Sequence, residues 1–249
     1  DDADVVSDND KYNDASDETS TGNNEGFPGI GNQSTKFTGS YDGDGYVIDG
    51  LTINRSNTDY IGLFGLTEGS TTQNLGVTGG DIVGGGYVGG LAGHLDESTM
   101  NNCYSTGSVT GNNGYIGGLV GANSGTNSSV NNCYSTGSVT GSGDFIGGLV
   151  GYNGSTISNS FWDTQTSNQS SSAGGTGKTT AEMKTVSTFT SAGWDFEVET
   201  TNGSNNYWDM NQDGSHYPVL SWQDGATVLI TDLTAPATPT GLVATPGER

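Results

Sequence analysis

The sequence predicts an all-β protein, a parallel β-helix (β-solenoid) of about five coils with an aromatic-rich C-terminal cap. The eleven letters NNCYSTGSVTG occupy residues 101–111 and return unchanged at 131–141. A second signature, typified by YIGGLVG, recurs at intervals of 27 to 30 residues, at 60–65, 87–93, 115–121 and 145–151. These units consist of Gly, Ser, Thr and Asn with short β-branched runs, so they lack the helix formers that a helical repeat needs.

Alternation within the repeat predicts a strand with one buried face. Cys103 shares its parity with Ser105 and Val109, whereas Tyr104 has the opposite parity. We therefore expect the side chains of Tyr104 and Tyr134 to lie outside the coil. The predicted interior stack comprises Leu51, Leu75, Cys103, Cys133 and Ser160.

Two further patterns predict the corners of each coil. Ile116 and Leu119 have opposite parity, so the strand cannot run straight through Gly117 and Gly118, and the glycine pair indicates a bulge or corner. An asparagine immediately precedes the interior stack in four coils. Amides that repeat about 4.8 Å apart along the axis hydrogen-bond to one another, so this row needs no ligand to explain it. The predicted amide row is Asn74, Asn102, Asn132 and Asn159.

The composition also favours a solenoid. The 249 residues include 43 Gly, only 30% are hydrophobic, and the formal net charge is −22, which is too little apolar material for a conventional globular core of this length. Six Lys and Arg cannot neutralise a row of phosphates, so we expect no nucleic-acid partner. No apolar run approaches the length of a membrane span, so we expect no membrane insertion. A chain that begins with Asp instead of Met is expected of a processed, exported protein.

The two cysteines, Cys103 and Cys133, are expected one rung apart inside the coil. Parallel side-chain vectors at that spacing favour two buried thiols, although export leaves a disulfide open as the alternative. Neither cysteine has the paired His or Cys neighbours in the sequence that a zinc site requires.

The signature GGLVG followed by the small polar run at 101–111 resembles the GLUG-motif repeats of large bacterial and archaeal extracellular surface proteins. Residues 37–53 resemble the first coil of that family, and segments 160–167, 177–184, 187–196 and 216–222 resemble its closing part. The resemblance covers roughly residues 26–222. It implies a right-handed β-helix in a secreted cell-surface protein, with a structural or adhesive role and the possibility of a self-assembling extracellular filament.

The chain divides into three parts. Residues 1–25 form an acidic N-terminal segment, residues 26–222 form the β-helix with its cap, and residues 223–249 contain a strand at 226–233 and a Pro-rich linker. The linker resembles the entry to a fibronectin type III domain. The residues that match the first strand of such a domain are Pro239, Gly241, Leu242 and Ala244.

Several local motifs are explained without a ligand. Residues 42–45, DGDG, predict a turn in the first coil. The segment GTGKTT does not form a phosphate loop, because Ser172 occupies the position of the first glycine, and Thr179 instead predicts the cap of one helical turn. We expect an aromatic group to form a lid over the end of the solenoid. Its members are Phe189, Trp194, Phe196, Trp208, Tyr217 and Trp222.

One segment carries a possible metal site. Asp209, Asn211 and Asp213, with Gly214 following, reproduce the first half of a calcium loop, in which oxygen ligands alternate along the chain. Position twelve is Leu220 instead of the usual Glu. Calcium binding and a hydrogen-bonded Asx turn therefore both remain open.

Three functions from different classes are compatible with the sequence. We favour a structural or adhesive module whose partners are cell-surface glycans or proteins, or further copies of itself joined head to tail through 226–233. A carbohydrate-binding or carbohydrate-active β-helix is the alternative, but lyases need a basic residue and none occurs between Ser56 and Gly177, so we expect no enzyme. HExxH is absent as well. Ice binding is the third candidate, through outward Thr106, Thr110, Thr136 and Thr140.

Overall fold

The computed structural model describes residues 25–197, 201–210 and 214–221. The first coil contains β1 (Ser40–Asp42), β2 (Val47–Asp49), β3 (Ile53–Arg55) and β4 (Phe64–Glu68). The second contains β5 (Thr71–Thr78), β6 (Asp81–Gly84), β7 (Val88–Gly89) and β8 (Ala92–Asp96). The third contains β9 (Thr99–Ser105), β10 (Ser108–Gly111), β11 (Tyr115–Gly117) and β12 (Val120–Ser124).

The fourth coil contains β13 (Ser129–Asn131), β14 (Tyr134–Ser135), β15 (Val139–Gly141), β16 (Phe145–Gly147) and β17 (Val150–Asn153). A fifth begins with β18 (Thr156–Ser158) and β19 (Phe161–Asp163), and β20 (Thr176–Lys178) follows it. The cap contains helices α1 (Thr180–Met183) and α2 (Val186–Thr190) and the hairpin strands β21 (Trp208–Asp209) and β22 (Val219–Leu220).

Corresponding strands of successive coils pair in parallel and in register, which confirms the predicted β-solenoid. Sheet one contains β1, β2, β5, β9, β13, β14, β18, β19 and β20. Sheet two contains β3, β6, β10 and β15, sheet three β7, β11 and β16, and sheet four β4, β8, β12 and β17. The identical segments 101–111 and 131–141 are stacked, with Tyr104 opposite Tyr134 and Val109 opposite Val139. The right-handed sense of the coil stays a prediction.

Irregular segments cover both ends of the coil stack. Four turns are complete, and the fifth is short. Residues 164–175 continue in the same direction along the edge of the fourth, where Val139 N–H donates to the Ser167 carbonyl at 3.0 Å and Gly148 N–H to the Ser171 carbonyl at 3.0 Å. At the other end, Ile30 N–H donates to the Leu63 carbonyl at 2.8 Å. These bonds satisfy strand edges that would otherwise be open to other chains.

The interior stack is confirmed for Leu75, Cys103 and Cys133, which are fully buried, and for Ser160, whose Oγ accepts from the backbone N–H of Cys133 at 3.1 Å. The predicted place of Leu51 in that stack is wrong.

Leu51 is buried further along the coil than Leu75. Its carbonyl lies against Gly80 of the second coil. The neighbour of Leu75 in the first coil is instead Gly43. The DGDG turn, in which Asp44 has φ 49°, adds residues to the first coil and so displaces Leu51 from the sequence alignment.

The predicted corner at the glycine pair is confirmed. Strand β11 ends at Gly117 and β12 begins at Val120, while Leu119 between them is fully buried. A side chain on Gly117 would collide with the carbonyl oxygen of Val120, so only glycine allows so sharp a change of direction.

Tyr104 and Tyr134 lie outside the coil, as predicted, but they are not exposed to solvent. Their side chains do lie on the face opposite Cys103, but only 3% and 1% of their surfaces are exposed. The aromatic cap covers them, with the Tyr134 hydroxyl donating to the Pro218 carbonyl at 2.6 Å. The two phenol rings stack on each other at 5.0 Å. The buried residues of this cluster are Tyr104, Tyr134, Phe161, Met183, Phe189, Trp194, Phe196, Trp208, Met210 and Leu220.

The cap therefore lies along the outer face of sheet one, and its predicted position over the end of the solenoid is wrong. The tyrosine row on sheet one gives the cap an aromatic surface to pack against, with the Trp208 ring centroid 6.2 Å from that of Tyr104 and 6.0 Å from that of Tyr134. Thr179 caps α1 in a capping box with Glu182, as the sequence predicts. Trp222 lies outside the described residues.

Tyr217 connects the cap to the coil through a hydrogen bond. Its hydroxyl donates to Oδ2 of the fully buried Asp163 at 2.7 Å. Burial, together with the Asp163 carboxylate, raises the pKa of Tyr217 to about 12. Residue 163 ends β19, so this bond ties the start of the fifth coil to the cap.

Both cysteines are free and buried, so the thiol alternative is confirmed. The backbone N–H of Cys103 donates to Sγ of Cys133 at 3.4 Å. Burial raises the pKa of the Cys103 thiol well above its ordinary value. A thiol in such surroundings is a poor nucleophile and serves as a small apolar side chain.

Some predictions concern segments that the structure does not describe. The acidic segment lies outside the described residues apart from Glu25. The strand at 226–233 and the fibronectin-like Pro239, Gly241, Leu242 and Ala244 also lie outside them.

The close packing of the tyrosine row on sheet one is testable at Gly76. A Cβ atom there would lie 2.5 Å from Cζ of Tyr104, so we expect Gly76→Ala to lower the free energy of unfolding by about 1–3 kcal/mol. The matched control is Gly154→Ala, where the nearest atom belongs to the partly exposed ring of Tyr152 at 3.3 Å. Chemical denaturation measures both variants, and equal effects would contradict this packing.

Candidate functional site

The predicted calcium residues are only partly described. Asp209 lies in β21, opposite Val219 of β22, and is largely buried. Asn211 and Asp213 fall outside the described residues. Within the described ranges, no cluster of three or more His, Cys, Asp or Glu side chains could hold a metal ion. Calcium binding at Asp209, Asn211 and Asp213 thus stays a prediction.

The histidines do not form a catalytic pair. His94 shares a 2.7 Å hydrogen bond with the Ser124 hydroxyl and packs against the ring of Tyr87 at 5.4 Å. Burial lowers the pKa of His94, so the imidazole is neutral at pH 7. His216 is exposed in the cap. The absence of catalysis remains a prediction.

The amide row forms as expected along three coils. Nδ2 of Asn102 donates to Oδ1 of Asn74 at 3.1 Å, and Nδ2 of Asn132 donates to Oδ1 of Asn102 at 3.5 Å. Asn74, Asn102, Asn132 and Asn159 all have a left-handed backbone, with φ between 47° and 53°. Asparagine tolerates this conformation better than other residues with a side chain, so one residue both turns the corner and bonds along the axis.

The amide row ends on a carboxylate in the first coil. Nδ2 of Asn74 donates to Oδ1 of Asp42 at 3.0 Å, and Nε2 of Gln73 donates to Oδ2 at 2.6 Å. Asp44 N–H also donates to Oδ1 of Asp42 at 3.0 Å. These bonds, that of Gln73 foremost, hold the pKa of Asp42 below its ordinary value. The amides of Asn132, Asn102 and Asn74 each donate toward the first coil, and a negative charge accepts the last bond. Asn159 does not donate to Asn132, whose Oδ1 has no hydrogen-bond partner within the described residues.

Two further amide pairs repeat the arrangement elsewhere on the coil. Asn131 donates to Oδ1 of Asn101 at 3.0 Å, and Asn123 donates to Oδ1 of Asn153 at 2.9 Å. Axial hydrogen bonding by side chains therefore supports more than one corner.

A row of aromatic rings runs along the outside of the coil at the start of sheet three. We call Tyr60, Tyr87, Tyr115 and Phe145 the outer aromatic row. Successive ring centroids are 4.7, 4.9 and 5.0 Å apart. Tyr152 of β17 packs beside Tyr115 at 5.1 Å. The row ends in two rings with large exposed fractions, 47% for Phe145 and 39% for Tyr152.

Sequence reasoning did not identify the outer aromatic row as a surface. The signal was present, since Tyr or Phe begins the second signature in every coil at residues 60, 87, 115 and 145. An aromatic residue repeated at one position of a solenoid unit must form an axial row, inside or outside.

The threonines proposed for ice binding do not form one outward row. Thr110 and Thr140 share a hydroxyl hydrogen bond of 2.9 Å on the exposed face of sheet two. Thr136 is buried, and Oγ1 of Thr106 accepts from Gly79 N–H at 3.1 Å. Thr136 therefore cannot belong to an exposed ice-binding row.

The described surface contains a polar recess. It has a volume of about 160 Å³ and is lined by residues 25 and 54–58. Arg55 forms an ion pair with Glu25 at its edge. Lys36 is paired with Glu68 at 2.9 Å, and Lys184 lies 5.1 Å from the ring centroid of Tyr217. The cations described are thus dispersed and paired, which is unlike a phosphate-binding surface.

The stacked parallel coils define a β-solenoid repeat protein. The comparisons with known proteins also find a repeated motif in the chain. A family model described as the GLUG motif matches residues 84–110 and 112–140. The chain is 45% identical over 76 residues to halomucin of Haloquadratum walsbyi, a match covering 27% of this chain and 1% of halomucin. It is 44% identical over 55 residues to a protein named putative Gly-rich membrane protein of Evansella cellulosilytica, covering 22% and 6% of the two chains.

The chain thus spans only a small part of the length of either relative. No solved structure matches it. Among the helices of the described residues, none has the length and apolar character to span a bilayer.

The amide row generates a prediction at Asn102. We expect Asn102→Gly, which keeps the left-handed backbone, to lower the free energy of unfolding by about 1–3 kcal/mol, because Asn74 Oδ1 and Asn132 Nδ2 lose their partner. Asn102→Ala should cost about 1 kcal/mol more, since alanine resists φ near 50°. Urea denaturation measures both. Exposed Asn113→Ala serves as the control, and an effect at Asn102 no larger than this control would contradict the role of the row.

A second prediction concerns the pH dependence that Asp42 creates. Its pKa is depressed in the folded protein, so its contribution to stability is present above about pH 4 and is lost as the pH falls below that value. Asp42→Asn should therefore flatten the stability curve between about pH 2 and 5. The measurement is the melting temperature against pH, with Asp44→Asn as the matched control. A curve unchanged by Asp42→Asn would show that the carboxylate does not end the row.

Proposed function

We propose that this chain is a rigid structural module of a secreted cell-surface protein. The observation that carries the proposal is the solenoid itself: apolar side chains fill its interior, and backbone and amide bonds join its coils. Such a stack of coils has the fixed length and shape of a structural module. The GLUG motif and the names of the relatives, a mucin and a membrane protein, support a place at the cell surface.

The charge is consistent with that location. A net charge of −22 keeps the chain soluble and repels anionic lipid and nucleic acid. Four cations of the described residues contact acidic or aromatic side chains: Lys36, Arg55, Lys178 and Lys184. An exported, non-catalytic protein whose surface faces water or neighbouring cells fits these features.

We assign adhesion to the outer aromatic row. Phe145 and Tyr152 present ring surface beside exposed polar groups, a combination suited to neutral cell-surface glycans or to a protein partner. This is the observation that favours the carbohydrate-binding alternative. Catalysis on carbohydrate is not part of the proposal.

Self-assembly into a filament is the second proposal. The contact that we propose for it uses residues 226–233, which lie outside the described residues. Sedimentation of the full chain at increasing concentration measures this, with deletion of 226–233 as the comparison. A sedimentation coefficient that does not change with concentration would overturn the filament.

The surface location is tested by protease treatment of intact cells of the native organism. We expect the chain to be cleaved from intact cells, whereas a cytoplasmic marker protein stays intact. Protection equal to that of the marker would overturn the location.

The adhesive surface is tested with variants. Phe145→Ala with Tyr152→Ala should reduce retention on glycan or cell-wall columns at least tenfold if the row makes the contact. Tyr46→Ala is the matched control, because Tyr46 is 52% exposed but lies in the first coil away from the row. Equal retention of all three proteins would remove the outer aromatic row from the adhesive role.

A further inference from the structure

The sequence contains six Asn-x-Ser triplets, beginning at Asn32, Asn54, Asn127, Asn153, Asn168 and Asn202. This triplet is the acceptor motif for N-linked glycans in exported proteins. A glycan can only be carried where the folded chain leaves the amide nitrogen free and the surrounding surface open. The structure separates the six triplets by this criterion.

Two triplets are incompatible with a glycan. Nδ2 of Asn202 donates to the carbonyls of Thr190 and Trp194 at 2.7 and 3.2 Å, within the cap. Asn153 donates to the Ser155 carbonyl at 3.2 Å and accepts from Asn123 at 2.9 Å. A sugar on either amide would displace these bonds and break the local packing.

Two more triplets are restricted by their serine. Asn54 and Asn127 are exposed, but Ser56 and Ser129 are half-buried. Ser129 begins β13, which is paired on both sides, with β9 and with β18. The backbone around these triplets is therefore fixed in the sheets.

The remaining two triplets lie in exposed turns of the segments that cover the ends. Oδ1 of Asn32 accepts from the N–H groups of Ser34 and Thr35 at 2.9 Å each, which turns the amide nitrogen outward. Asn168 has φ 57° and lies between the ordered residues Ser167 and Gln169, while its own side chain is exposed. Ser34 and Ser170 are exposed as well.

We propose that Asn32 and Asn168 are acceptor sites for N-linked glycans, one at each end of the solenoid. In the transfer, Nδ2 forms a bond to the anomeric carbon of an oligosaccharide carried on a lipid phosphate. The bond from that carbon to the phosphate oxygen breaks, the lipid phosphate leaves with the electron pair, and the amide proton passes to a base of the transferase. The inference rests on the proposed export of the chain.

The position of the two sites has a structural consequence. Residues 25–37 and 164–175 already bond to strands at the two ends, and a hydrated glycan on each segment adds bulk that hinders other chains from pairing with those strands. The glycans thereby complete the protection that the covering segments provide.

The test uses the full protein released from the surface of its native organism, with glycopeptide mass spectrometry as the readout. We expect a glycan mass on the peptides containing Asn32 and Asn168 and the unmodified mass on those containing Asn153 and Asn202. Ser34→Ala and Ser170→Ala should each remove one glycan without changing the circular dichroism spectrum. Ser34→Thr and Ser170→Thr, which keep the hydroxyl, should retain both.

Unmodified Asn32 and Asn168 in the surface-released protein would overturn the inference, and so would glycans on Asn153 or Asn202. Because the protein is recovered from the surface in that experiment, either result would leave the proposed location standing. The protease experiment on intact cells fails separately if the location itself is wrong.

Discussion

The structure depends on hydrogen bonding along the axis of the solenoid. Each coil can satisfy its backbone groups only through the coils before and after it, so corresponding residues must repeat at the spacing of one strand. The identical segments 101–111 and 131–141 meet this constraint directly, because residues such as Tyr104 and Val109 stack on their own counterparts, Tyr134 and Val139. The constraint also explains the asparagines at the corner, since Asn102 must adopt φ 50° and bond to Asn74 and Asn132 with the same side chain.

The parts of the fold that repeat could be predicted from the sequence, and the parts that occur once could not. Period, strand parity, the glycine corner and the amide row each appear in several copies, so the alignment of copies predicted the register of Leu75, Cys103 and Cys133. Leu51 was misplaced because the first coil has an insertion at the DGDG turn that no other coil shares. For the same reason, Ser-rich residues 164–175 gave no strand signal, although their backbone covers the edge of the fourth coil.

The cap shows a second limit of pattern reasoning. Parity correctly placed Tyr104 and Tyr134 on the face opposite the cysteines, but it contains no information about what covers that face. The covering rings come from a segment some sixty residues later, and their contact is set by the Tyr134–Pro218 and Tyr217–Asp163 bonds. The calcium motif could be identified from the sequence. The outer aromatic row could be identified as a surface only in the structure, where the coils are stacked.

The two aromatic rows of the coil differ in their exposure to solvent, and the difference bears on function. The row on sheet one, Tyr104, Tyr134 and Phe161, is buried by the other seven residues of its cluster and contributes to folding. The outer aromatic row has similar spacing between rings. Its last ring, Phe145, and the adjacent ring of Tyr152 are exposed. Stability alone gives no reason to leave Phe145 and Tyr152 in water, because burial of such rings lowers the free energy of the folded state. This difference between the two rows is the basis on which we propose an adhesive role for the outer aromatic row.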